Sequence, residues 1–128
     1  MIEDLVDYLQ TSGIGTVGTD IFVGELPLDK TDCIALMVSP SPDSDKSIPY
    51  FKQTIDVWSR FGTYEDGYNK LQEVFDLIHR AENYEFGEFH VYISYAAGNI
   101  VDNGRDAERR HLMQLTLGFV YRDTDSIS

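Results

Sequence analysis

Between Phe51 and Arg80 the spacing of apolar positions changes once, and the change marks a strand running into a helix. From Phe51 to Arg60 the period is two. Phe51, Ile55 and Val57 point to one side, while Lys52, Thr54, Asp56, Trp58 and Arg60 point to the other, the pattern of a half-buried strand. After Gly62 and Thr63 the period becomes helical: Tyr64, Tyr68, Leu71, Phe75 and Ile78 fall on one face, with Val74 and Leu77 beside them. Thr63 suits the N-cap, Asp66 takes the capping position three residues on, and His79 and Arg80 complement the C-terminal end of the dipole.

The same reading places the remaining elements. Ile2, Leu5, Val6 and Leu9 form the apolar stripe of a first helix over Ile2–Gln10, stopped by Gly13 and Gly15. Thr19–Val23 reads as a short strand ended by Pro27, and Cys33–Val38, apolar on both faces, as a central strand covered on both sides. Residues 39–49 hold three prolines among serines and aspartates and read as an exposed, flexible loop. Phe89–Tyr95 alternates, Asn103-Gly104 gives the hairpin signal, and a last strand runs from Arg110 to Tyr121 before a polar, frayed tail over 123–128. The expected fold is α+β: one domain over residues 1–128, with a mostly antiparallel sheet of four to five strands and two helices packed on it.

Composition narrows the function classes. A chain of 128 residues with 42% hydrophobic and 25% charged residues has the makings of a packed core. No apolar run is long enough to span a bilayer, and the opening Met-Ile-Glu-Asp-Leu carries acids where a secretory leader carries Lys or Arg. The lone Cys33 reads as a buried thiol in a chain that folds in a reducing cytoplasm. The net charge of −12 argues against tight nucleic-acid binding, though an acidic surface suits a protein past which DNA must slide without sticking.

Catalytic constellations are missing from the pattern. His79, His90 and His111 are scattered, with no pair at metal-ligand spacing. Asp43 and Asp45 do not follow a calcium-loop pattern, and Gly13-Ile-Gly15-Thr-Val-Gly18 leads from helix to strand, the reverse of a dinucleotide fingerprint. The expectation is a protein with no enzymatic activity and no cofactor. Asp102, Asp106 and Glu108 alternate with Arg105, Arg109 and Arg110 around a turn, either as a charged contact surface or ion site or as a solvated hairpin tip. Trp58, on an otherwise polar strand face beside Asp56 and Arg60, has the composition of an interface hot spot, unless a helix covers it.

The order of elements resembles the tail-terminator (minor capsid, tail-completion) proteins of long-tailed bacteriophages. The matching features are the opening helix Ile2–Leu9, Gly18–Pro27 leading into Cys33–Leu36, the strand Phe51–Arg60 followed by Tyr64–Tyr68, and the closing strand Met113–Val120. The resemblance implies a homohexameric ring that caps the tail tube, stops its polymerisation and docks the head connector or stopper protein, with genomic DNA passing through. It implies a place at the tail–neck junction of the virion, assembly in the host cytoplasm and no membrane partner. Asp43, Asp45 and Lys46 then fall in a loop that docks or orders on assembly. Asp56, Trp58 and Arg60 become candidates for a subunit or tube contact, and Arg105 and Arg109 for the other axial face. A head-completion or adaptor protein of the neck and a small ligand-binding α+β domain are the alternatives.

Overall fold

A computed structural model of the chain describes residues 2–39 and 51–123. In chain order it contains α1 (Ile2–Thr11), β1 (Ile21–Val23), β2 (Cys33–Ser39), β3 (Phe51–Phe61), α2 (Tyr64–Ile78), β4 (Ala81–Phe86), β5 (Phe89–Ala96), β6 (Val101–Arg105) and β7 (His111–Asp123). All seven strands join one sheet in the order β1-β2-β3-β7-β5-β4, with β6 also paired to β7. Only β1 and β2 run parallel; every other pair is antiparallel. The long β7 therefore forms the spine, with β3 along one edge and β5 then β6 along the other.

Both helices lie on one face. Leu5, Val6 and Leu9 of α1 and Leu71, Val74 and Ile78 of α2 bury against Ile34 and Leu36, Ile55, Val57 and Phe61, Val91, and Met113, Leu115, Leu117 and Phe119. Along β3 and β7 alternation assigns one side chain in two to this core and sends the others to the opposite face, over which neither α1 nor α2 lies. Thr63 caps α2 as expected, its hydroxyl accepting from the Asp66 backbone N–H at 3.3 Å. At the other end of α2, Ser94 Oγ donates to the Ile78 carbonyl at 2.7 Å, which satisfies one of the open carbonyls of the last turn.

The sheet is larger than the four to five strands expected. β4 was hidden because its alternation breaks at Asn83, which sits at φ 50°, opposite a register irregularity between Val91 and Ile93 of β5. β6 was hidden because all five of its residues are exposed, so it has no apolar period at all. Asn103-Gly104 is not the hairpin turn. It forms an irregularity inside β6, where the Gly104 N–H donates to Asp102 Oδ1 at 2.8 Å, and the chain reverses at Asp106–Arg110 instead. The buried stripe of α2 is also rotated from the expected one. Gly67 lies against Phe61, whose Cβ would stand 3.3 Å from an added methyl, and this close approach turns Tyr64 and Tyr68 outward to 48% and 40% exposure.

β7 extends to Asp123, pairing with Phe89, so Arg122 and Asp123 belong to the sheet and not to a tail. Ser39 ends β2; the rest of the expected 39–49 loop, and the tail beyond Asp123, lie outside the described residues.

Candidate functional site

The helix-free face is built from rows of side chains in register. One row runs Ala35, Trp58, Gln114 and Val101; the next runs Met37, Asp56 and Thr116. Trp58 is half-buried with no helix over it, which excludes intramolecular cover by α1 or α2. Asp56 is engaged by the neighbouring strand, since Thr116 Oγ1 donates to its Oδ1 at 2.7 Å. Further along, Tyr95 lies over Gly118: a methyl added there would run into the far end of its ring. The ring covers a backbone that has no side chain of its own, a device that stiffens glycine-containing sheets. Ile93 and Tyr95, each 37% exposed, and Val101, 50% exposed, give this side of the molecule an apolar stripe.

Arg60 behaves differently from its neighbours on the same face. It is 7% exposed, and its Nη1 donates to the carbonyls of Pro27 and, at 3.3 Å, Lys30. Its Nε has no hydrogen bond and faces Asp106 Oδ2 at 3.5 Å. Arg110 Nη1 binds the carbonyls of Leu28 at 3.2 Å and Lys30 at 3.1 Å. The two guanidiniums thus hold the connection between the parallel strands β1 and β2, which must return along the length of a strand and has no ladder of its own. That cover, and not a helix, closes the second face over Cys33. Burial pushes the Cys33 thiol up against the opposing pull of Arg60 and Arg110, so the thiol stays protonated.

Asp106 is the hub of the hairpin tip. It accepts hydrogen bonds from the Glu108 N–H at 3.0 Å, the Arg110 N–H at 2.9 Å and Arg110 Nε at 2.8 Å. Desolvation pulls its carboxyl upward, but those hydrogen bonds, with the Arg110 charge, outweigh it and hold the group below its usual value. The turn fixes Arg109 at φ 63°, and both Arg109 and Arg105 are exposed. The charged turn is therefore ordered by its own ion pairs. Arg60, Asp106 and Arg110 make one intramolecular network that leaves Arg105 and Arg109 pointing outward. Sequence reasoning grouped these charges but missed the hub. The readable signal was Asp106 followed four residues on by Arg110, an aspartate turn closed by its own guanidinium.

Asp43, Asp45 and Lys46 lie outside the described residues. The structure brings Asp56 and Trp58 together, places Arg60 beside them but turned to the loop, and sets Arg105 and Arg109 at the tip. The histidines stand apart: His79 Nδ1 accepts from the Ala96 N–H at 3.0 Å, His90 faces Glu85 at 3.5 Å, and His111 packs edge-on to Tyr64. Among the described residues no group of three or more His, Cys, Asp or Glu is placed to hold a metal ion. No helix of the described residues is long and apolar enough to cross a membrane.

Comparison with known proteins agrees in kind. A family model described as bacteriophage tail terminator protein matches residues 8–122. No curated protein matches the chain. Among solved structures, a chain from the virion of a native gene transfer agent particle is similar at a TM-score of 0.54 and 14% identity, over 81% of this chain and 79% of that one, a likeness of fold.

Proposed function

Because the chain belongs to the bacteriophage tail terminator family, whose members are structural virion components and not enzymes, we propose that it caps the tail tube as a hexameric ring. The ring ends tube polymerisation and offers its far side to the head connector or stopper protein. It sits at the junction of tail and neck after assembly in the host cytoplasm, and genomic DNA passes through it without specific binding. The single observation that carries this reading is the family match over nearly the whole chain.

Two features of the fold support this reading. One sheet face is closed by α1 and α2 and builds the core, while the other, around Trp58, has no helix over it among the described residues and is the proposed face for a neighbour or the tube. Trp58 and Asp56 on that face, and Arg105 and Arg109 at the tip, are the proposed contact groups. Arg60 serves the contact indirectly, by fixing the loop that frames the face. Asp43, Asp45 and Lys46 keep their proposed part as a docking segment. The net charge of −12 suits passage of DNA, since like charge keeps the duplex off the wall.

Electron microscopy of the protein with its cognate tail tubes tests the proposal. Capped tubes of fixed length with sixfold density at their ends are expected, and Trp58→Ala should leave ends bare while the chain stays folded. Unoccupied tube ends, or density on purified heads alone, would overturn it.

A further inference from the structure

The two ends of the molecule are electrostatically complementary. At one end the β6–β7 tip presents Arg105 and Arg109, exposed and without an ion pair among the described residues. At the other end, beside the β4–β5 turn, a groove of about 240 Å³ is lined by Asp4, Asp7, Tyr8, Glu85 and Gly87. Asp4 and Asp7 have no ion pair among the described residues either, and Glu85 meets only His90. The two features lie at opposite ends of β7: Arg105 pairs with His111 at its start, and Phe89, just past the turn, with Asp123 at its end. A strand of that length separates them by about 40 Å.

We infer that the arginine tip of one copy docks in the acidic groove of the next. This rests on the ring proposed above and names the contact that builds it. The contact joins two different patches of the same chain, a heterologous interface, and such interfaces close into rings when the rotation permits. Both partners are preorganised. The tip is clamped by Asp106 and by Arg110, whose guanidinium is anchored on the β1–β2 connection. The groove wall is tight, since a methyl on Gly87 would stand 2.5 Å from Asp4 Cγ. Carboxylates beside an aromatic ring, here Tyr8 packed on Phe86 at 5.5 Å, suit a guanidinium, which takes carboxylate oxygens at its edge and a ring at its face. The same pairing opposes dimers joined tip to tip or groove to groove, where like charges would meet.

The test is a charge swap in the full chain. One variant carries Arg105→Glu and Arg109→Glu, the other Asp7→Lys and Glu85→Lys; all four positions are exposed, and circular dichroism verifies that each variant is folded. Each is scored for occupancy of cognate tail-tube ends and, by sedimentation velocity at low salt, for self-association. The wild type should assemble, and each variant alone should associate about tenfold more weakly or worse. An equimolar mixture should recover assembly, because the reversed tip meets the reversed groove and the native tip the native groove around an even-numbered ring. If the wild type occupies tube ends and either variant does so equally well, or the mixture gains nothing, this contact is refuted while the ring stands. If the wild type leaves tube ends bare, the ring itself is refuted.

Discussion

On the helix side of β3, Ile55 and Val57 have no exposed surface and Phe61 keeps 7%; one residue over, on the other side, Asp56 and Trp58 remain half-exposed. The two faces share the same backbone, the same ladder and the same strand neighbours, so the difference lies only in what covers them. The helix side is closed by leucines, isoleucines and valines of α1 and α2. Among the described residues the other side is closed at one end, by a loop that two arginines hold down. Folding is driven by the first face. The second is organised by polar bonds from Arg60 and Arg110 to the β1–β2 connection.

The largest loss of stability is expected on the helix side. Leu115, fully buried between β3 and the helices, should cost about 2–5 kcal/mol as Leu115→Ala, measured by urea unfolding. A loss under 1 kcal/mol would mean that the covered face is loosely packed. The equivalent change on the open face should separate the two roles: Trp58→Ala should cost less stability than Leu115→Ala yet lose tube capping, which Leu115→Ala retains below its melting temperature.

Next in size is the arginine clamp. Arg60→Met keeps much of the side-chain volume but removes the donors to Pro27 and Lys30 and the charge facing Asp106. The expected loss is about 2–3 kcal/mol, as for hydrogen bonds from a charged, mostly buried group. Hydrogen exchange should show faster opening confined to the β1–β2 connection. If exchange rises uniformly, the loop is not an independent cover and the open face owes nothing to it.

How far the sequence revealed this contrast follows from the same physics. The helix side was legible because burial imposes a period: 3.6 along α1 and α2, two along β3 and β7. Both helices, the Thr63 cap and the strands β3, β5 and β7 follow from it, and β2 follows from its unbroken apolar run. Where burial leaves neither a period nor an apolar run, the sequence carries no strand signal. β6 is exposed at every position, and β4 is broken at Asn83. Asn103-Gly104 met the letter of a hairpin turn, but Asp106, with two backbone N–H groups and the Arg110 side chain on its carboxylate, makes the stronger one. Arg60 was read as an outward partner because alternation gives the face of a residue but not what folds over that face. Alternation also gives the face of Trp58 and Asp56, and among the described residues neither α1 nor α2 folds over that face.

A smaller effect probes the open face directly. Gly118→Ala should drive its methyl into Tyr95, and the ring must leave the sheet or the strands must part. A cost of about 1–3 kcal/mol is expected, as for overpacking elsewhere. Pairing the change with Tyr95→Ala sharpens the point, since removing the ring should recover most of the loss. If the double variant is no better than Gly118→Ala alone, the backbone at Gly118, and not the platform of Tyr95, is what the glycine serves.

The smallest effect is a pH dependence located at the tip. Asp106 is held below its ordinary value of 3.8 chiefly by hydrogen bonds from Arg110 and Glu108, against the upward pull of desolvation. A carboxyl whose folded value is depressed binds fewer protons in the folded chain than in the unfolded one. Its stabilisation is therefore complete above the unfolded value and is lost as pH falls through the folded value. Stability measured by urea unfolding should fall as pH drops below about 4, and Asp106→Asn should flatten that decline while lowering stability at neutral pH. Exchange at the Glu108 and Arg110 amides should quicken in step, because both donate to that carboxylate. If Asp106→Asn leaves the acid limb unchanged, the tip is held by Arg60 and Arg110 on the loop alone, and Asp106 is a passenger between them.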